Sequence, residues 1–183
     1  MNWQLFITVM IFTVIGSITC LLMGIIFFGF EIFEIRSTLF QFVVYGIIGS
    51  ISFILFHLKR YRDAIFILVL LYLFEIIGLG FKYPLTHTLG YLSVIISMYI
   101  YSKYFFTQTQ TIKYSRPLIL ASIFAILFVI VVLVLTFYYQ AGQGKFLPFK
   151  NMPVGFLIGL GLGLGIELSE YLIAQRQELK NIK

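Results

Sequence analysis

Pro153-Val-Gly-Phe-Leu-Ile-Gly-Leu-Gly-Leu-Gly-Leu-Gly-Ile-Glu-Leu-Ser-Glu170 is the segment that sets the character of this chain. Its Leu-Gly alternation has a period of two, as a strand would. In lipid, however, a lone strand leaves its N–H and C=O groups unpaired, whereas a helix pairs them internally. The segment therefore reads as a helix. At about 100° per residue, Gly155, Gly159 and Gly163 form one row that continues to Glu167, and Gly161 and Gly165 form a second row on roughly the opposite side. Each row is a small-xxx-small surface that admits a neighbouring backbone. A helix approachable from two sides is expected to lie between two others. Glycine costs about 0.8–1 kcal/mol of helix propensity against alanine, so this run requires a packing gain that offsets it.

The rest of the chain matches that setting. Of its 183 residues 61% are hydrophobic and only 11% charged, and the mean hydropathy is +1.03. Soluble domains carry about 25% charged residues. The composition is that of an integral membrane protein. With about 20 residues per crossing, the length accommodates an all-α, polytopic domain over 1–183 with six transmembrane helices. Their approximate spans are 5–30, 38–57, 64–80, 85–101, 117–138 and 153–173. No sizeable soluble domain fits between them. The first apolar run lacks the Lys/Arg flank of a secretory signal and is too long for one, so it reads as a retained span.

Sidedness follows from the basic residues. Lys59, Arg60 and Arg62 follow span 2; Lys103, Lys113 and Arg116 follow span 4; Arg176, Lys180 and Lys183 lie in the tail. The other loops carry Arg36, Lys82, Lys145 and Lys150. Cytoplasmic loops are the Lys/Arg-rich ones, which places both termini in the cytoplasm; a bacterial cytoplasmic membrane is the expected location. The net charge of +6 sits in these short segments rather than in a stripe with exposed aromatics. The expected partner is the lipid bilayer and not a nucleic acid. A second copy or a partner membrane subunit is the further partner that the glycine rows suggest.

Small residues also mark other spans. Gly16, Cys20 and Gly24 make a packing stripe on span 1, and Thr86, Gly90, Ser93 and Ser97 make a more polar one on span 4. Span 5 is apolar all round, which predicts a lipid-facing helix. Lys103–Arg116 reads as the longest polar loop, and Gln140–Asn151 as an external loop. Splitting the six spans three and three sets Glu75 with Gly78 and Gly80 against Gly165 with Glu167, a weak echo of an inverted repeat.

An ionised carboxylate at bilayer depth costs about 2.5–3.5 kcal/mol on insertion scales, so buried acids face protein or water. Two clusters of candidates emerge. The outer one gathers Glu31, Glu34, Glu75 and His87 with Tyr72 and Ser93; His87 meets Glu75 if spans 3 and 4 are antiparallel neighbours. The inner one holds Glu167 and Glu170 with Ser169 and Tyr171. These are candidate substrate- or proton-binding residues. The plain alternative for Glu167 is a structural acid capped by a neighbour's hydroxyl. No nucleophile motif, phosphate loop or metal-ligand spacing is present, and no catalytic residue, metal or cofactor is assigned. Lone Cys20 rules out an intrachain disulfide. Three functional readings follow. The first is a small-solute or ion carrier, or a membrane subunit of a transport system, using buried carboxylates. The second is a non-catalytic assembly subunit packing through its last helix. The third is an interfacial membrane enzyme.

Overall fold

The computed structural model describes residues 3–29, 36–79, 84–106, 115–138 and 148–181. Their regular structure is entirely helical: α1 (Trp3–Phe28), α2 (Arg36–His57), α3 (Tyr61–Leu79), α4 (Pro84–Ile100), α5 (Ser115–Tyr138) and α6 (Pro148–Asn181). Three stretches, Trp3–Phe28, Ser115–Leu135 and Met152–Gln175, are long and apolar enough to cross a bilayer.

The last helix lies between α1 and α5 and has its most extensive contact with α5. The reason is the absence of side chains along two of its faces. A Cβ built on Gly163 would stand 2.5 Å from Pro117 Cα, one on Gly159 2.7 Å from Ala121 Cα, and one on Gly155 2.8 Å from Phe128 Cβ. On the opposite face, Cβ atoms at Gly161 and Gly165 would stand 2.6 Å from Cys20 Cα and 2.7 Å from Gly16 Cα. Both neighbours run antiparallel to α6, because rising numbers along α6 meet falling numbers on each of them. The start of α1 and the end of α6 therefore point to the same end of the bundle.

Helix α2 fills the space behind α1. Gly46 lies against Ser17 and Cys20, and Gly16 against Ser50. Every residue from Ile48 to Phe56 is buried, and Leu162 of α6 and Met98 of α4 both lie against Gly49. The buried Ser50 and Ser52 hydroxyls donate to Gly46 O and Ile48 O at 2.7 Å, so neither brings an unpaired polar atom into the core. Helix α4 joins α2 through Gly90, which faces the Tyr45 hydroxyl. Helix α3 sits outside α2 and barely touches α4. An apolar groove of about 290 Å³ separates the two, lined by residues including Phe56, Leu68, Tyr72, Thr88 and Tyr91.

A tight turn joins α2 to α3. Lys59 N–H donates to Phe56 O and Arg60 N–H to Leu55 O, at 2.9 and 2.8 Å. This double bond is a Schellman closure of the helix end. Its left-handed residue is Lys59, at φ 56°, where glycine is the usual occupant.

Two expectations need correction. The last helix starts at Pro148 rather than Pro153, so the end of the supposed loop Gln140–Asn151 is helical. Proline at a first helical position loses no intrahelical bond, which suits Pro148 to that role. The same helix continues to Asn181, around the apolar stretch Met152–Gln175 that is long enough to cross a bilayer. Finally, α5 is not lipid-facing all round: Leu120, Ala121, Phe124, Ala125 and Phe128 are buried, while Leu118, Ile126 and Ile130 are exposed. An all-apolar helix has no polar face to betray which side is covered; its partner's glycines choose that side.

Candidate functional site: a buried ion pair at the termini end of the bundle

Downstream of Gly165, α6 acquires its only described acids. Ser169 donates to Gly165 O at 2.7 Å and is fully buried, so its hydroxyl stays within its own helix. Glu167 points elsewhere. Its Oε1 accepts from Arg116 Nη1 at 3.2 Å, and each side chain is 5% exposed. Arg116 is the second residue of α5. The antiparallel packing that sets Pro117 on Gly163 carries Arg116 one further step, to the level of Glu167. The glycine row thus delivers the cation to the acid.

The guanidinium has a second neighbour. Its carbon lies 5.0 Å from the centroid of the Phe106 ring, within the range of a cation–π contact. Phe106 is held in place by aromatic contacts on its other sides, with Phe53 at 4.9 Å and His57 at 5.0 Å between ring centroids.

The segment that positions Phe106 departs from α geometry. After Ile100 the chain winds into a π-helical turn, Tyr101–Phe105, closed by Phe106 N–H donating to Tyr101 O at 2.9 Å. Such turns are rare, and frequent at functional sites. The turn buries Tyr101 completely, and its hydroxyl has no hydrogen-bond partner. That hydroxyl lies within electrostatic reach of Glu167, Arg116 and Glu170. An unpaired buried hydroxyl costs about 1–3 kcal/mol. Glu170, one turn beyond Glu167 on the same helix, is half-buried and within electrostatic reach of the same pair.

The sequence candidates fare unequally. Glu167 and Glu170 share this site, with Arg116 as a counter-ion of Glu167. Tyr171 does not join them; it is 38% exposed and accepts from Gln175 at 2.6 Å. Of the outer cluster, Tyr72 hydrogen-bonds Thr88 across the α3–α4 groove. Ser93 is buried and donates to Gly90 O at 2.7 Å. Glu31, Glu34 and the side chains of Glu75 and His87 lie outside the described residues. Among the described residues no group of three His, Cys, Asp or Glu side chains could hold a metal ion.

Comparison of the chain with family models, with curated proteins and with solved structures gives no match. The site must be read from its own chemistry. Two of its residues escaped the reading of the sequence. Arg116 counts there as a loop charge, and Tyr101 only as the last residue of the fourth span. A signal for Arg116 did exist: it immediately precedes an apolar helix, at the membrane level where Glu167 needs a cation.

Proposed function

We propose that this chain is a six-span protein of the cytoplasmic membrane, both termini cytoplasmic, that carries a small solute or ion, with Arg116 and Glu167 as its working pair. The observation that carries the reading is the pair itself, nearly sealed from solvent beside an unpartnered Tyr101 hydroxyl. Replacing a buried ion pair by well-packed apolar residues is often neutral or stabilising, so stability alone is a weak reason to keep one. In a membrane interior the default meaning of an ionisable residue is a pathway, relay or counter-ion. The π-helical turn against the pair supplies a backbone segment able to change its bonding register. The Lys/Arg asymmetry supports the sidedness, since the α2–α3 turn with Lys59 and Arg60 lies at the same end as both termini.

The assembly reading has less surface to use. Both glycine rows of α6 face α1 and α5 of the same chain, so a partner would have to dock on another face.

Solute-jump electrophysiology on reconstituted protein tests the carrier. A panel of amino acids, sugars and monovalent cations is applied to proteoliposomes on a supported membrane. The expected result is a transient current for at least one of them, absent in Glu167→Gln. Currents indistinguishable from empty liposomes across the panel would sink the reading.

A further inference from the structure

Helices α3 and α4 follow one another in the chain yet barely touch, and the groove between them has a defined shape. One wall is the row Ile65, Leu68 and Tyr72 of α3; the other is the row Thr88, Leu92 and Ile95 of α4. Spacings of three and four residues make each row a single helix face. Tyr72 hydrogen-bonds Thr88 and so bridges the groove at one end. At the other end lies Phe56, the penultimate residue of α2. Its ring meets Tyr61 of α3 at 6.0 Å and Tyr99 of α4 at 5.9 Å. The two helices are therefore antiparallel, and the groove runs from the Tyr72–Thr88 bridge toward the α2–α3 turn. From Tyr61 to Tyr72 the helix rises about 16 Å at about 1.5 Å per residue, half of a hydrocarbon core of about 30 Å. The trough is thus as deep as one leaflet. Ile65, Val69 and Leu92 along it are exposed, and an apolar trough left empty forfeits dispersion contacts that an acyl chain supplies.

The charge at its mouth selects the lipid. Tyr61 and Tyr99 are both exposed there, as aromatic side chains are at a membrane interface. On the α3 side, Lys59 of the turn and Arg62 of the first helical turn are exposed. On the α4 side, exposed Lys103 donates from Nζ to the Tyr99 hydroxyl at 3.2 Å and lies 5.4 Å from the centroid of that ring. Asp63, the acid of this turn, is paired with Arg60 at 2.5 Å. Basic side chains on both sides of a trough one acyl chain deep match a headgroup of net negative charge.

We propose that the α3–α4 groove binds one anionic glycerophospholipid, with an acyl chain between the two helices and the phosphate among Lys59, Arg62 and Lys103. The site goes beyond the carrier reading and takes from it only the sidedness, which sets the mouth at the anionic cytoplasmic leaflet.

Native mass spectrometry of the full chain released from mild detergent tests the site, with dioleoyl phosphatidylglycerol and dioleoyl phosphatidylcholine as probes. The parent chain retains one phosphatidylglycerol at concentrations where phosphatidylcholine is lost. Each neutralised cation at the membrane surface lowers that retention about fivefold, so Arg62→Gln combined with Lys103→Gln removes the preference while circular dichroism melts stay unchanged. Val69→Trp, at an exposed position lining the groove, fills the trough and removes the adduct. Equal retention of the two lipids by the parent chain overturns the proposal, as does a preference that survives the double charge variant. A preference intact in Val69→Trp puts the lipid elsewhere and overturns it too. So does a dimer in place of the adduct, dispersed by Val69→Trp, which assigns the groove to a second copy. Retention is read without solute or current, so failure of the carrier reading leaves this site standing.

Discussion

The two halves of α6 are held by different means. From Gly155 to Gly165 the helix meets α5 and α1 at backbone distance on both sides. Beyond Gly165, where α6 carries Leu172 and Ile173 and α1 carries Met10 and Val14, the helices separate around an apolar groove of about 450 Å³. The second half is also the more polar, with Glu167 and Glu170, but side-chain volume is what sets the spacing from α1. In lipid there is little hydrophobic drive between helices, so close approach and dispersion decide which surfaces stay together. In this half the described polar link is to the other neighbour, α5, through Arg116 and Glu167. The same rule separates α3 from α4, whose facing side is made of Ile65, Leu68, Tyr72 and Leu92.

The largest effect should come from breaking the link in the second half. Arg116→Met removes the described counter-ion of buried Glu167 and is expected to cost about 3–5 kcal/mol. Cys20, fully buried, provides the measurement, because a thiol-reactive dye labels it only as the bundle opens on heating. Adding Glu167→Leu to Arg116→Met should recover most of the loss. A double variant no better than the single one would show that the pair is not the link.

Next in size is an attack on the first half. Gly161→Ala or Gly163→Ala forces a methyl onto the backbone of Cys20 or Pro117, and overpacking of this kind costs about 1–3 kcal/mol. The same melting assay should show a clear fall for each. If both variants melt like the parent, backbone contact is not what seats α6.

A gain is expected at the α2–α3 turn. Lys59→Gly relieves a left-handed residue and should stabilise the fold by up to about 1 kcal/mol. An unchanged or lowered melting temperature would contradict the Schellman geometry assigned there.

The smallest effect belongs to the groove. Leu172→Phe projects into open apolar space between α6 and α1 and should change stability by no more than about 0.5 kcal/mol. A loss as large as that of Gly161→Ala would erase the contrast between the two halves.

What local chemistry can announce, the chain announces. Apolar runs of the right length become helices, and the i, i+4 spacing of Gly155, Gly159 and Gly163 places them on one face, with Gly161 and Gly165 on another. These properties depend on residues within a turn or two of each other, so helical periodicity is enough to reveal them. The start of α6 at Pro148 was less legible, because the lone turn before Pro153 carries polar Lys150 and Asn151 and resembles a loop. The covered side of α5 was not legible at all.

The site belongs to the second category. Arg116 and Glu167 are 51 residues apart, and the sequence signals only that both sit near the same membrane face, not that they meet. Their meeting depends on α5 lying along one particular glycine row in one register, with Pro117 on Gly163. Tyr101 joins them only because α4 ends in a π-helical turn that rotates its ring inward. Sequence by itself determined the helices and the faces able to pack closely, since both follow from local geometry. The partner on each face, and therefore which charge answers which, was decided only by tertiary packing, because contact between distant helices is a property of the whole bundle.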